Sequence, residues 1–257
     1  MQRGQAWQAG ANLATLANAL LGVGAIAYTL AGNKLFGMLL VVGAMGFDGL
    51  DGLLHRRSGG PSKLLGRVLD SLADTISFGI APGVFLAVHT YAQYAYAPYA
   101  LESLAVGVAV SALAITRLIY FTLRSYAHPY FLGSSTPQTT LALVVILLLV
   151  DEPGYFGPAP LVLLVSAAIL APLMVLPIPF PKIRRGARLR GVMTATSVAL
   201  AVALLPAQFV PPRGSFLYAL GEAATLAALV GVAVYYLLGP WSARVDARAT
   251  EPGAPHG

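Results

Sequence analysis

The chain has 257 residues, of which 57 % are apolar and 10 % are charged, with a net charge of +6 and no cysteine. Soluble domains carry about 25 % charged residues, so the composition excludes an ordinary soluble domain and indicates a polytopic membrane protein. Disulfides are excluded, and the basic excess is explained by membrane topology. No basic patch interleaved with aromatic residues predicts a nucleic-acid partner.

Eight apolar segments predict an all-α membrane helix bundle of about eight transmembrane helices within residues 11–238. The predicted spans are, in chain order, 11–30, 35–54, 63–88, 101–123, 138–150, 161–176, 191–205 and 216–238. The fifth span extends back through Thr136. We expect residues 1–10 to be interfacial or disordered, and residues 239–257 to form a polar, disordered tail. Because more spans follow the first one, we read it as an uncleaved helix and not as a signal peptide.

The distribution of basic residues predicts how these spans cross the membrane. Eight spans place both termini on the same side, and fourteen of the sixteen lysines and arginines then lie on that side. Lys34 and Arg213 are the two that lie on the other side. The positive-inside rule makes the richer side cytoplasmic. We therefore expect an integral protein of the cell membrane with both termini in the cytoplasm.

Four aspartates lie within residues 48–74, in a chain that has only ten acidic residues. Asp48 and Asp51 are three residues apart in the second span, and Asp70 and Asp74 are four apart in the third, so each pair shares a helix face. Burying a carboxylate is costly unless a cation or hydrogen bonds compensate. If the two helices meet at these faces, the carboxylates converge on a site suited to Mg²⁺ or Mn²⁺.

Such a site would have the chemistry needed for displacement at phosphorus. Four carboxylates can hold two metal ions roughly 3.5–4 Å apart, as in two-metal enzymes. Gly52 and Gly66 have no side chain beside the predicted cluster, which would let a ligand approach the backbone. A single aspartate pair could instead be a cation path or a helix contact. All four aspartates, with two glycines and Arg56 in register, favour a metal site, whose mouth we expect on the cytoplasmic side.

The pattern of these residues resembles the signature of the CDP-alcohol phosphotransferase family, D-x-x-D-G-x-x-A-R followed by G-x-x-x-D-x-x-x-D. The residues that match are Asp48, Asp51, Gly52, Arg56, Gly66, Asp70 and Asp74. The chain departs from this pattern twice. His55 stands where the family usually has alanine, and the gap from Arg56 to Gly66 is longer than usual, so Arg57 could fill the arginine role.

Further segments resemble the serine-using branch of that family, the phosphatidylserine and archaetidylserine synthases. They are DSLADTISFG at 70–79, the pair Arg117-Leu118, and GSSTPQTT at 133–140. The resemblance implies a phospholipid-biosynthesis enzyme that transfers a phosphatidyl-type or archaetidyl group from a CDP-linked lipid to the hydroxyl of L-serine and releases CMP. It leaves open whether the lipid is a diacylglycerol or an archaeal ether lipid.

The resemblance also implies a role for each matching residue. Binding of Mg²⁺ or Mn²⁺, with two ions expected, is implied for Asp48, Asp51, Asp70 and Asp74. Asp74 is in addition implied to be the general base. Contact with the CDP moiety is implied for Gly52, Arg56 and Gly66.

Arg117 and Arg124 are candidates to bind the carboxylate of serine, and the alternative is that they are ordinary basic residues of the cytoplasmic side. Glycerol phosphate and inositol phosphate are other acceptors in the family, but they would need more cations than these two arginines. In a different class, a divalent-cation transporter would need acidic groups spread across the membrane depth. The expected partners are the CDP-lipid, L-serine and membrane lipids, and a homodimer is left open.

Overall fold

The computed structural model describes residues 2–58, 64–94, 100–123, 130–151, 159–181, 187–207 and 213–248. The helices are α1 (Gln2–Leu30), α2 (Lys34–Ser58), α3 (Leu64–Asp74), α4 (Ala81–Tyr94), α5 (Ala100–Leu123), α6 (Thr136–Asp151), α7 (Ala159–Leu170), α8 (Ala187–Ala207) and α9 (Phe216–Arg248). Two short strands, β1 (Tyr130–Leu132) and β2 (Pro179–Pro181), form an antiparallel pair. Helices dominate the structure, and the predicted all-α class is confirmed.

Within the described ranges, five helical segments are long and apolar enough to cross a membrane. They are Gly4–Leu30, Lys34–Ser58, Gly66–Val88, Leu101–Leu123 and Phe216–Val245. The apolar helices over Thr136–Val150, Leu161–Met174 and Thr194–Leu205 are shorter. Many large apolar side chains on these helices are exposed, as expected for a surface that lipid covers. The protein is therefore an integral membrane protein, whereas the number of eight spans stays a prediction.

The chain forms two compact units, residues 1–124 and 125–257. In the first unit, α1 packs along α2 and also contacts α3 and α4. The turn between α1 and α2 is set by Gly32, whose φ of +89° suits glycine, and by hydrogen bonds from Gly32 N to Thr29 O and from Asn33 N to Tyr28 O. Asn33 then caps α2, because its Oδ1 accepts a hydrogen bond from Phe36 N. This tight connection makes α1 and α2 antiparallel neighbours.

The third predicted span, 63–88, is not one regular α-helix. A π-helical turn over Thr75–Ile80 separates α3 from α4 and begins directly after Asp74. The physical reason is Pro82, which has no N–H and would clash with the carbonyl group one α-helical turn earlier. The wider turn avoids that clash, and Ala81 N donates a hydrogen bond to Ile76 O, five residues back.

The second unit is organised around an aromatic cluster between β2 and α9. Phe180 of β2 stacks on Tyr235 at 5.3 Å between ring centroids and meets Tyr236 edge-on at 5.9 Å. The hydroxyl of Tyr236 shares a hydrogen bond with Thr139 of α6 at 3.0 Å. The segment at 133–140, noted in the sequence, thus begins α6 against α9.

Both ends of the helical region extend further than the sequence predicts. Helix α1 begins at Gln2, within the segment 1–10 that was expected to be interfacial or disordered, and Trp7 lies beneath the Arg57 guanidinium at 5.5 Å. Helix α9 continues through Pro240 to Arg248, so the predicted polar tail at 239–257 is helical in its first part. Packing explains why α9 continues past Gly239. Residues of β2 contact α9 at Gly239, and this contact outweighs the tendency of a Gly-Pro pair to end a helix.

The crossing of α4 and α5 provides a test of this packing. A Cβ at Gly83 would overlap with Ser111 Oγ and with the carbonyl oxygen of Gly107. We expect Gly83→Ala to lower the free energy of unfolding by about 1–3 kcal/mol, measured as a lower thermal midpoint in detergent. Gly46→Ala is the matched control, because no described atom lies within 4 Å of its Cβ. The control should gain about 0.5–1 kcal/mol from helix propensity, and equal midpoints would contradict the close crossing.

Candidate active site

Three carboxylates from two helices meet at one place in the first unit. Asp48 of α2 and Asp70 and Asp74 of α3 each offer an oxygen within 4.8 Å of the others, and all three side chains are half-buried. Helix α1 packs against both α2 and α3, and this shared packing brings Asp48 of α2 close to the acids of α3. The structure therefore brings together residues that are separated by more than twenty positions in the sequence.

The fourth aspartate of the motif, Asp51, belongs to the same cluster. Its side chain is only 2 % exposed, and its carboxyl group lies close enough to that of Asp70 to interact directly. Its Oδ2 accepts a hydrogen bond of 2.8 Å from the hydroxyl of Thr15 in α1. Asp51 is thus held from a third helix while it faces the other acids.

Helix α1 also contacts Asp74. The amide Nδ2 of Asn18 donates a hydrogen bond of 3.0 Å to Asp74 Oδ1, and Asn18 is fully buried. Neither Thr15 nor Asn18 is among the site residues predicted from the sequence. The available signal was two polar residues, three positions apart, inside an apolar predicted span, which places both on one helix face.

The donor set of this cluster fits a divalent cation. Asp70 Oδ1 is buried and receives no hydrogen bond from a described residue. Carboxylate oxygens are the ligands that Mg²⁺ and Mn²⁺ prefer, and a cation would offset the mutual repulsion of the carboxylates. The assignment of individual metal ligands stays a prediction.

Gly52 and Gly66 lie next to the cluster and have space beside them. A Cβ at Gly52 would have Arg56 Nη1 as its nearest described neighbour at 3.5 Å, and a Cβ at Gly66 would have no described atom within 4 Å. By contrast, a Cβ at Gly22 would overlap with Ser77. Helix packing among the described residues therefore explains why position 22 is a glycine. It does not explain glycine at positions 52 and 66, where a larger residue would fit and would stabilise the helix. Open space beside an acidic cluster is what a bound ligand would require.

The basic residues predicted for this site differ in how the structure places them. Arg56 is exposed with its guanidinium beside Gly52, whereas Arg57 extends over the ring of Trp7. Arg117 is half-buried in α5, with its guanidinium 5.8 Å from the centre of the Phe121 ring. Arg124 lies outside the described residues. The roles of Arg117 and Arg124 in acceptor binding stay predictions.

The family model described as CDP-alcohol phosphatidyltransferase matches residues 9–203, which include the whole acidic cluster and its α1 partners. The chain belongs to the CDP-alcohol phosphatidyltransferase family. As an enzyme of this family, it carries the matched motif on α2 and α3.

Several curated relatives of this phosphatidyltransferase share one name, CDP-diacylglycerol–serine O-phosphatidyltransferase. The protein of that name from Helicobacter pylori is 33 % identical over 182 residues, covering 68 % of this chain and 72 % of the relative. The Bacillus subtilis protein is 29 % identical over 175 residues, covering 67 % and 90 %. The Mycobacterium tuberculosis protein is 28 % identical over 158 residues, covering 56 % and 53 %.

The open space beside Gly52 predicts how this phosphatidyltransferase responds to an added methyl group. We expect Gly52→Ala to raise KM for the CDP-linked lipid roughly tenfold, equivalent to about 1.4 kcal/mol of lost binding, because the methyl group would enter the space left for the ligand. KM is measured from CMP release at varied lipid concentration. Gly46→Ala makes the same change on α2 away from the cluster and should leave KM unchanged. Equal KM values for the two variants would argue against ligand binding at Gly52.

Proposed function

We propose that this enzyme transfers a phosphatidyl-type or archaetidyl group from a CDP-linked lipid to the hydroxyl of L-serine, releases CMP, and depends on a divalent metal. The observation that carries the proposal is the convergence of the Asp48, Asp70 and Asp74 carboxylates within 4.8 Å. Support for serine as the acceptor comes from the names of the relatives in three bacterial genera. The GSSTPQTT segment, which resembles the serine branch, supports the same acceptor.

In this proposal, the four aspartates hold Mg²⁺ or Mn²⁺ at the junction of α2 and α3, with two ions expected. A divalent cation held there would offset the negative charge that develops on the leaving CMP. Gly52 and Gly66 leave room for the CDP moiety beside the helix backbones. Arg56, whose guanidinium lies beside Gly52, binds the CDP moiety, and we favour it over Arg57, which contacts Trp7.

The proposed reaction is a single displacement at the lipid-side phosphorus. Asp74 accepts the proton of the serine hydroxyl, and the serine oxygen forms a bond to phosphorus. The bond from phosphorus to the CMP oxygen breaks, and CMP leaves with the electron pair. Arg56 would orient the pyrophosphate in the space beside Gly52, and a cation held by the aspartates would attract its oxygens, so that the attacking and leaving oxygens can lie in line.

The acceptor site is proposed beside α5. Ser71 of α3, the residue that follows Asp70, shares a hydrogen bond with Thr122 of α5, so the end of α5 lies next to the cluster. Arg117 lies on α5, and Arg124 follows α5 in the sequence; we propose that both attract the serine carboxylate. The membrane position suits the substrates, because lipid tails can stay in the bilayer while CMP and serine exchange with the cytoplasm. Orientation in the cell membrane rests on the distribution of basic residues.

Removing the proposed base tests the mechanism. Asp74→Asn keeps the size of the side chain but cannot accept the serine proton, so we expect CMP release to fall at least about 100-fold. Mn²⁺ binding should be retained in large part, because the other carboxylates remain. Glu102→Gln, the same change at an exposed position of α5, is the control and should keep full activity. A fully active Asp74→Asn enzyme would rule out Asp74 as the base.

A panel of acceptors and lipids tests the substrate assignment. We expect purified protein to release CMP from CDP-diacylglycerol or its archaeal ether analogue when L-serine is present, and to lose this activity with EDTA until Mg²⁺ or Mn²⁺ is added back. CMP release that requires glycerol phosphate or inositol phosphate in place of serine would replace the proposed acceptor. Metal flux in proteoliposomes without any CMP release would instead support a cation transporter.

A further inference from the structure

Two buried residues of α1, Thr15 and Asn18, contact the acidic cluster but lie outside the family signature on α2 and α3. We propose that they are positioning residues, which hold Asp51 and Asp74 in the geometry needed for metal binding and proton transfer. This inference rests on the metal-dependent function proposed above. It makes α1 the third helix of the active site.

The geometry links one helix to both halves of the cluster. Thr15 and Asn18 are three residues apart and therefore share a face of α1. The hydroxyl of Thr15 lies 2.8 Å from Asp51 Oδ2, and the amide Nδ2 of Asn18 lies 3.0 Å from Asp74 Oδ1. Asp51 belongs to α2 and Asp74 to α3. A shift of either helix relative to α1 would break one of these hydrogen bonds.

The side chains of Thr15 and Asn18 are oriented by their hydrogen bonds to the carboxylates, and not simply by being buried. Thr15 Oγ1 also lies 3.1 Å from the carbonyl oxygen of Ala11, but its single proton is better used by the closer, charged Asp51. Asn18 Oδ1 is buried and receives no hydrogen bond from a described residue. The Asn18 amide is therefore oriented by its donor contact with Asp74, which it keeps although its own acceptor is left unpaired.

Asn18 holds Asp74 through the backbone as well. Ser77, which lies in the π-helical turn after Asp74, donates a hydrogen bond of 2.9 Å from Oγ to the carbonyl oxygen of Asn18. Gly22, one turn further along α1, allows this contact because any Cβ there would overlap with Ser77. The chain on the C-terminal side of Asp74 is thus fixed to the same residue that contacts its carboxylate.

Neutral donors are suited to this task. A lysine or arginine in the same place would neutralise the carboxylates and compete with a metal ion. A hydroxyl and an amide each bind one carboxylate oxygen and add no positive charge, so the carboxylates keep their attraction for a cation. Hydrogen bonds of this kind orient metal ligands and raise metal affinity without replacing the metal.

The first experiment measures Mn²⁺ affinity by electron paramagnetic resonance, with purified full-length protein in nanodiscs and no substrate. Thr15→Val removes the hydroxyl while it keeps the shape of the side chain, and we expect affinity to fall about 10–100-fold. Thr15→Ser restores the hydroxyl and should restore wild-type affinity. Thr29→Val is the matched control, because Thr29 is a buried threonine of α1 whose hydroxyl bonds to Ala25 O.

The second measurement separates kcat from KM for Asn18→Ala. Because Asn18 orients the proposed base, we expect kcat to fall about 10–100-fold while KM for the CDP-linked lipid stays unchanged. A purely structural role would lower the amount of folded enzyme or change both constants together. The thermal midpoint of each variant is recorded alongside, so that loss of fold is recognised.

The outcomes distinguish this inference from the function on which it rests. The role of Thr15 would be overturned if Thr15→Val bound Mn²⁺ as tightly as Thr29→Val does. It would also be overturned if Thr15→Ser bound Mn²⁺ as weakly as Thr15→Val does. Wild-type kcat in Asn18→Ala would overturn the role of Asn18 even if Thr15→Val did not fold. A wild-type protein that binds no Mn²⁺ would overturn the metal function and the inference together. The metal measurement needs no serine, so a different acceptor would leave it unaffected.

Discussion

The repulsion among four carboxylates is the constraint on which the first unit depends. Like charges a few ångströms apart repel strongly where the surroundings are apolar, and three of these groups meet within 4.8 Å. The protein supplies two neutral hydrogen-bond donors to the cluster, the hydroxyl of Thr15 and the amide of Asn18. A divalent cation bound between the carboxylates would offset this repulsion, and the surrounding helices are placed so that the acids meet.

Assembly of the helices and construction of the site use the same contacts. Lipid gives little hydrophobic drive for one helix to join another, so close glycine crossings and hydrogen bonds between helices carry much of the association. The bonds from Thr15 to Asp51 and from Asn18 to Asp74 do this while they orient the acids. Ser71 and Thr122 likewise join α3 to α5 directly beside Asp70. A substitution at these positions therefore affects stability and chemistry together.

Local spacing predicts a large part of this site, and tertiary contacts account for what it misses. The aspartates share helix faces at spacings of three and four, so their meeting could be anticipated from 48–74 alone. Thr15 and Asn18 lie 36 and 56 positions from their partners, a relation that no local pattern contains. The helix through Pro240 shows the same limit, since its packing against β2 decides it. The π-helical turn is different, because Pro82, its cause, is visible in the sequence.

The π-helical turn also determines how α4, the helix that follows it, is rotated about its own axis. One extra residue in a turn advances the later helix by about 100° relative to an uninterrupted one. Gly83, which follows the turn, packs closely against Gly107 of α5. A single deletion between Asp74 and Pro82 would thus leave the aspartates untouched yet turn α4 by more than a quarter of a rotation. The number of residues in this short interval therefore determines which face of α4 meets α5.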